Sequence, residues 1–265
     1  MHSFEYLHPL NVAGAVADLE RHAEAKLLAG GQTLLPTMKQ RLAAPSALVD
    51  LRKIKELVSI AHDGNALVIG AMTRHVDVAT SPVVHAAISA LADLAAQIGD
   101  PAVRNRGTIG GSLANNDPAA DYPAAALALN ATIVTNARSI AADSFFKGLF
   151  ETALKANEVI TSVRFPVPQK AAYQKFANPA SRYALVGVFV AKTASGVRVA
   201  VTGAGSGGVF RVKAFEDALA KNFTASALEG LSVSAANLNS DIHADADYRA
   251  HLIGVLAKRA VAAAG

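Results

Sequence analysis

The 265-residue chain predicts an α+β fold, and three observations carry that expectation. Strand-like and helix-like segments do not alternate regularly enough for a parallel, doubly wound sheet. The run VITSVRFPVP (159–168) is a strand closed by two prolines, which cannot donate to a ladder, so a boundary falls near residue 168. Beyond it YQKFA, YALVGVFVAKT and VRVAVTG read as a three-stranded antiparallel sheet with helices after it.

Each element has its own local reason. NVAGAVADLERHAE (11–24) repeats apolar residues at helical spacing behind Asn11, a side chain suited to capping. KLLA (26–29) is a short strand that enters GGQT (30–33) directly. LLPTMKQRL (34–42) resumes as a helix, with Pro36 tolerated in a first turn whose N–H has no helical partner. ALVDL (47–51) and ELVSI (56–60) are strand-like. ALVIGA (66–71) follows a D-G-N turn and predicts a hairpin with the strand before it. Helices follow at 74–79 and 83–97, then GDPAVRNRG (99–107) as a loop. The glycine-rich loop TIGGSLANNDPAAD (108–121) comes next. PAADYPAAALALN (118–130) reads as a helix and ATIVTN (131–136) as a strand. The last helices are expected at 212–221, 224–230 and 246–263.

Composition removes whole classes of function. The chain has no cysteine, which excludes disulfides, thiolate nucleophiles, zinc–cysteine sites and cysteine-ligated iron–sulfur clusters on this chain. A redox role therefore needs a bound organic cofactor or a partner. The net charge of +4 is scattered, without the basic stripe that marks nucleic-acid binding. No apolar run reaches the roughly 18–20 residues of a membrane span. The start, MHSFEYLHPL, lacks the basic and apolar regions of a signal peptide, so a soluble cytoplasmic protein is expected. No HExxH and no G-x-S-x-G occurs among these residues, so neither a metal site nor a hydrolase triad has an anchor.

Three glycine-rich segments remain. In LAGGQTLLP (28–36) the amides of Gly30, Gly31, Gln32 and Thr33 can converge on an anion; a tight turn capped by Thr33 is the plainer reading. In TIGGSLANNDPAAD the glycines let a phosphate or ribityl chain lie against the main chain, with Thr108, Ser112 and Asn115 as donors. Asp117 and Asp121 share a face if a helix begins by Pro118, and one of them accepts from ligand hydroxyls or caps that helix. Two such segments favour a ligand over two turns. TGAGSGG (202–208) matches G-x-G-x-x-G at Gly203, Gly205 and Gly208, yet no immediate helix or second parallel strand follows, so it reads as a turn. Tyr183, at a strand start, is either packed in the core or an aromatic platform over a flat cofactor.

The pair AGGQTLLP (29–36) and TIGGSLANNDPAADYP (108–123) resembles the FAD-binding medium subunit of molybdenum hydroxylases, the xanthine dehydrogenase and carbon monoxide dehydrogenase family. FEYLHPLNVAGAVADL, RNRGTIGG, VITSVRFP and KFANPASRYALVGV extend the resemblance over nearly the whole chain. It implies an FAD-binding region of the vanillyl-alcohol-oxidase-like (PCMH) kind at 1–168, built of two α/β subdomains at roughly 1–57 and 58–168. A C-terminal domain of the CO dehydrogenase flavoprotein type, a small antiparallel sheet with helices, would occupy 169–265.

The resemblance also assigns roles. Ala29, Gly30, Gly31, Gln32 and Thr33, with Thr108, Ile109, Gly110, Gly111 and Ser112, would hold the FAD pyrophosphate and ribityl region. Asn115 and Asp121 would add polar contacts, Ile160 and Lys175 would touch the flavin nucleotide, and Tyr183 would cover the isoalloxazine ring. Many relatives carry an acid shortly after that tyrosine, where this chain has Ala184-Leu185-Val186. No catalytic acid or base and no metal ligand is expected here. The resemblance places a molybdenum–pterin cofactor on a large partner subunit and two [2Fe–2S] clusters on a small one, as a dimer of heterotrimers. This oxidoreductase subunit would pass electrons from the clusters to an external acceptor; it is expected in the cytoplasm unless a signal on a partner exports the whole complex. Two other readings stand beside it: an NAD(P)-binding module at Gly203–Gly208, and a non-catalytic scaffold subunit.

Overall fold

Three principal sheets organise the chain in the computed structural model, which describes all 265 residues. The first is built from β1 (Glu5–Leu7), α1 (Val12–Arg21), β2 (Lys26–Leu28), α2 (Leu34–Lys39) and β3 (Ala47–Asp50), its strands parallel in the order β1-β3-β2. Asn11 caps α1 as expected, its side chain accepting from the Gly14 amide at 2.8 Å. The GGQT segment leaves the C-terminal end of β2, the edge where open parallel sheets bind ligands.

The chain continues through β4 (Ile60–Asp63), β5 (Ala66–Gly70), α3 (His75–Thr80), α4 (Pro82–Ala96), α5 (Pro101–Arg104), α6 (Ile109–Asn115) and α7 (Tyr122–Ala128). Then come β6 (Thr132–Thr135), β7 (Ser139–Ala141), α8 (Ala142–Phe145), β8 (Phe146–Gly148), β9 (Glu151–Thr152) and β10 (Ile160–Pro166). The second sheet is antiparallel in the order β4-β5-β10-β6-β7, and the expected hairpin pairs Asp63 with Ala66. β8 and β9 form a separate small hairpin.

Three sequence expectations are corrected here. ELVSI is not a strand: residues 51–57 form two 3-10 turns and β4 starts only at Ile60. Leu51, Ile54 and Leu57, three residues apart and all buried, follow the 3-10 repeat and pack together in one core cluster. GDPAVRNRG is not wholly loop, because Asp100 accepts from the Val103 amide at 2.8 Å and Pro101 opens α5. TIGGSLAN is not a loop either; it is the helix α6.

The third sheet comprises β11 (Lys170–Ala177), β12 (Ala184–Thr193), β13 (Gly196–Thr202) and β14 (Phe210–Arg211), antiparallel in that order. It gains a fourth strand over the three expected. α9 (Lys213–Lys221) and α10 (Ala246–Ala263) follow, and a 3-10 turn at Ala225–Leu228 replaces the helix expected at 224–230. β12 explains its own continuous apolar run. Phe189 and Ala191 join the core of the second sheet and helices α4 and α7, while Val186, Val188 and Val190 face α9 and α10. A strand covered on both faces loses polar alternation. Each such valine contributes about 1.5–3 kcal/mol by burial. Gly203 to Gly208 form the connection between the antiparallel strands β13 and β14, with Gly203 and Gly208 at φ +82° and +97°, so the expected turn is what folds. No helix is long and apolar enough to cross a membrane.

Candidate functional site

A cleft of about 860 Å³ opens between the two glycine segments, within the roughly 300–1,000 Å³ range of small-molecule sites. Its walls are the 29–34 loop, α6, the 98–100 turn, the start of β10, the β8–β9 turn and residues 180–183.

The 29–34 loop supplies unused donors. The amides of six successive residues, Ala29 to Leu34, find no backbone acceptor in the chain. Gly31 reverses the chain at φ +73°, and its carbonyl accepts from the Leu35 amide at 3.2 Å. Thr33 makes no side-chain cap bond to α2, so the capped-turn reading of this loop fails. Successive free amides on a glycine turn form a concave anion receptor. At Gly30 the missing side chain serves a different purpose. A Cβ there would lie 2.2 Å from the Arg106 carbonyl oxygen and 2.7 Å from the Gly107 Cα, so the glycine lets the two loops abut.

α6 spends its donors internally. Thr108 Oγ1 accepts from the Gly111 amide at 3.2 Å. The amides of Ile109 and Gly110 donate to the carbonyls of Thr73 at 3.1 Å and Ala71 at 2.9 Å. The first turn of this helix is therefore pinned to the segment after β5. A Cβ at Gly110 would meet Ala71 Cβ at 2.6 Å and its carbonyl oxygen at 2.7 Å. One at Gly111 would point toward Thr108 Oγ1 and Ala29 Cβ, at 3.0 and 3.3 Å. Only the second glycine faces the 29–34 loop.

Of the residues singled out from sequence, Ala29, Gly30, Gly31, Gln32, Thr33, Thr108, Gly110, Gly111, Ser112, Asn115, Asp121, Ile160 and Tyr183 line the cleft. Ile109 is wholly buried behind it. Lys175 stands one residue back, its Nζ 2.9 Å from Asp121 Oδ1 and 3.1 Å from the Gln97 carbonyl oxygen. Tyr173 donates to the same carboxylate at 2.5 Å. Asp121 thus caps nothing: its side chain makes no cap bond to α7. Burial pushes its carboxyl upward against the pull of Lys175 and Tyr173. Asp117 accepts instead from the Ala119 amide at 2.9 Å, and burial raises it too. Tyr183, half exposed on the lip, has its hydroxyl raised by burial and then by Asp117 and Asp121.

Sequence reasoning missed His75, Ile98, Phe150 and Glu158, all of which line the cleft. His75 is 5% exposed, its Nδ1 has no hydrogen-bond partner, and burial, then Arg104, push it down to about 4. It is neutral at physiological pH. The buried Tyr122 hydroxyl, also unpartnered, belongs to a ring 5.4 Å from the imidazole. No motif spacing announced either one, since the two rings come from different elements, α3 and α7. No group of three or more His, Cys, Asp or Glu is placed to hold a metal ion.

Free amides and an aromatic lip in one cleft define a nucleotide-binding site. Residues 2–168 match the protein-family model for the FAD binding domain in molybdopterin dehydrogenase, and the chain belongs to that family. It is similar to the carbon monoxide dehydrogenase medium chain of Hydrogenophaga pseudoflava, 39% identical over 98% of this chain and 96% of that one. It is 36% identical to the nicotine 6-hydroxylase medium subunit of Paenarthrobacter nicotinovorans, over 99% and 98% of the two chains. Among solved structures it superposes on reconstituted CO dehydrogenase from Oligotropha carboxidovorans with a TM-score of 0.91, at 33% identity, covering 99% of this chain and 97% of that one. Quinoline 2-oxidoreductase from Pseudomonas putida gives 0.87 at 32% identity, covering 99% and 96%. The resemblance read from the two glycine motifs is borne out, as is the mixed α and β fold. The chain is an oxidoreductase component whose cofactor is FAD. The cleft suits that cofactor: the unused amides at Ala29–Leu34 match a diphosphate, and the unpartnered Nδ1 of His75 and the ring of Tyr183, both in the lining, suit a polar, flat ring.

Proposed function

We propose that this chain is the medium, flavin-bearing subunit of a heterotrimeric molybdenum hydroxylase, carrying electrons from [2Fe–2S] clusters to an external acceptor. The observation that carries the reading is the run of six unpaired amides at Ala29–Leu34 in the same cleft as Tyr183. The medium chains and subunits it resembles along nearly their full length support large and small partner subunits, and we infer a dimer of heterotrimers. Because the chain lacks cysteine, the two clusters would sit on the small subunit, and the molybdenum–pterin cofactor on the large one. FAD, when bound, supplies exchange between one-electron and two-electron carriers.

This chain's residues hold, orient and shield that group. In our reading the 29–34 amides take the diphosphate, and Ser112 and Asn115 on α6 address the ribityl hydroxyls. Tyr183 would cover the ring, and Ile160 would offer an apolar contact. Asp121 presents a carboxylate whose position Lys175 and Tyr173 fix, so Lys175 acts through Asp121. We assign 1–168 to FAD binding, as subdomains 1–57 and 58–168, and 169–265 to a C-terminal domain, in the cytoplasm unless a partner exports the complex.

The test is a visible absorption spectrum of the protein purified with its accompanying chains, followed by chromatography of the nucleotide released on denaturation. A flavin band with about one FAD per chain is expected. No flavin, or NAD(P) in its place, refutes the reading and returns attention to Gly203–Gly208.

A further inference from the structure

The β8–β9 hairpin turns through Leu149 and Phe150 alone, with Gly148 paired opposite Glu151. Phe150 takes the second turn position at φ +56°, where a positive φ ordinarily selects Gly or Asn. A bulky aromatic in the left-handed region is an outlier that persists only where its surroundings enforce it. Here Asn116 does so. Its Nδ2 donates to the carbonyls of Gly148 at 2.7 Å and Glu151 at 2.9 Å, and its own carbonyl accepts from the Phe150 amide at 3.1 Å. Asn116 is itself buried, left-handed at φ +43°, and closes the C-terminus of α6. The second asparagine of TIGGSLANN thus bolts this turn to the helix that forms one wall of the cleft.

The consequence is the position of one ring. Phe150 is 61% exposed, an unfavourable state for a phenyl group in water, and it lines the cleft together with Tyr183. Both aromatics are tied to the segment that closes α6. Phe150 is hydrogen-bonded to Asn116, and Tyr183 feels the charge of the next residue, Asp117. We propose that Phe150 is a second aromatic contact for the isoalloxazine ring, beside that of Tyr183, and that the left-handed turn exists to present it. This rests on the reading of the cleft as the FAD site.

The protein with its co-purifying subunits, stripped of FAD, tests it through F150G and F150Y. Glycine removes the ring and relieves the backbone. The F150G unfolding midpoint without FAD should therefore equal or exceed that of wild type. Its FAD affinity, measured by equilibrium dialysis, should fall about tenfold, the scale of one aromatic contact. F150Y should bind within about twofold of wild type, because it keeps the ring. Wild-type affinity in F150G overturns the proposal, and so does an F150Y as weak as F150G. An F150G that unfolds below wild type overturns it as well, since the strain that points to function would then be absent. A wild-type protein that takes up no FAD refutes the FAD-site reading itself, a result read before any variant is compared.

Discussion

Replacing Gly110 or Gly111 by alanine separates two duties held by adjacent glycines in one short helix. Each change gains up to ~1 kcal/mol of helix propensity. At Gly110 the new methyl would sit 2.6 Å from Ala71 Cβ and 2.7 Å from its carbonyl oxygen, atoms of a buried segment that cannot swing aside. Overpacking of this kind costs about 1–3 kcal/mol. Stretching the 2.9 Å bond from the Gly110 amide to that same carbonyl adds about 0.5–1.5 kcal/mol. The net loss for G110A is about 0.5–4.5 kcal/mol. In a chain of this size that lowers the unfolding midpoint by roughly 1–18 °C.

At Gly111 the neighbours are a hydroxyl at 3.0 Å and a methyl at 3.3 Å, both able to yield. G111A should stay within about 1 kcal/mol of wild type. Its methyl nevertheless projects toward the 29–34 loop, so FAD affinity should fall. Valine there should release FAD before it unfolds the chain. Calorimetry of the FAD-free protein reads the first effect and an FAD titration the second. A G110A as stable as wild type, or a G111A that binds FAD normally, would refute this division of labour.

The remaining expectations concern buried charge. K175M strips the cation from Asp121, whose side chain is 4% exposed, and should destabilise by about 3–5 kcal/mol in urea titration. Adding D121N should recover part of that loss, and strictly additive effects would contradict the pairing. The Arg138 guanidinium above all, with the Lys155 amide and Thr135, holds Glu158 down to about 2. A lowered carboxyl stabilises fully above its ordinary value near 4.5 and loses that contribution as pH falls toward 2. E158Q should flatten the unfolding midpoint across that window; an unchanged acid limb would count against the pair. His75 behaves differently. Its folded value near 4 lies below the ordinary 6.5, so the unfolded chain takes the proton first and stability declines as pH falls between the two. H75Q should remove that slope, and a slope that survives the substitution would mean His75 is not its source.

Much of this molecule was legible before folding was considered. The cap at Asn11, the β4–β5 hairpin, the strand YALVGVFVAKT and the failed context of GAGSGG are all local patterns, set by residues a few positions apart. The two glycine segments were recognisable together because their composition exceeds what turns require. Local pattern also misled. ELVSI has strand-like residues, but Leu57 is claimed by a core cluster with Ile54 and Leu51. TIGGSLAN looks like a loop by its glycines, yet Thr108 caps it into a helix.

What the sequence by itself determined is the class of protein, the absence of any metal-binding thiol and the neighbourhood of the cofactor site. Only the tertiary structure decided how each residue serves it. Gly30 is small for Arg106, Gly110 for Ala71, and Asp121 answers to Lys175 rather than to its own helix. Asn116 holds a turn some thirty residues away, and the turn carries Phe150 to the cleft. Such pairings join residues far apart in sequence, where no periodicity records them. They follow from excluded volume and from the need of buried polar groups to find partners once the sheets have packed.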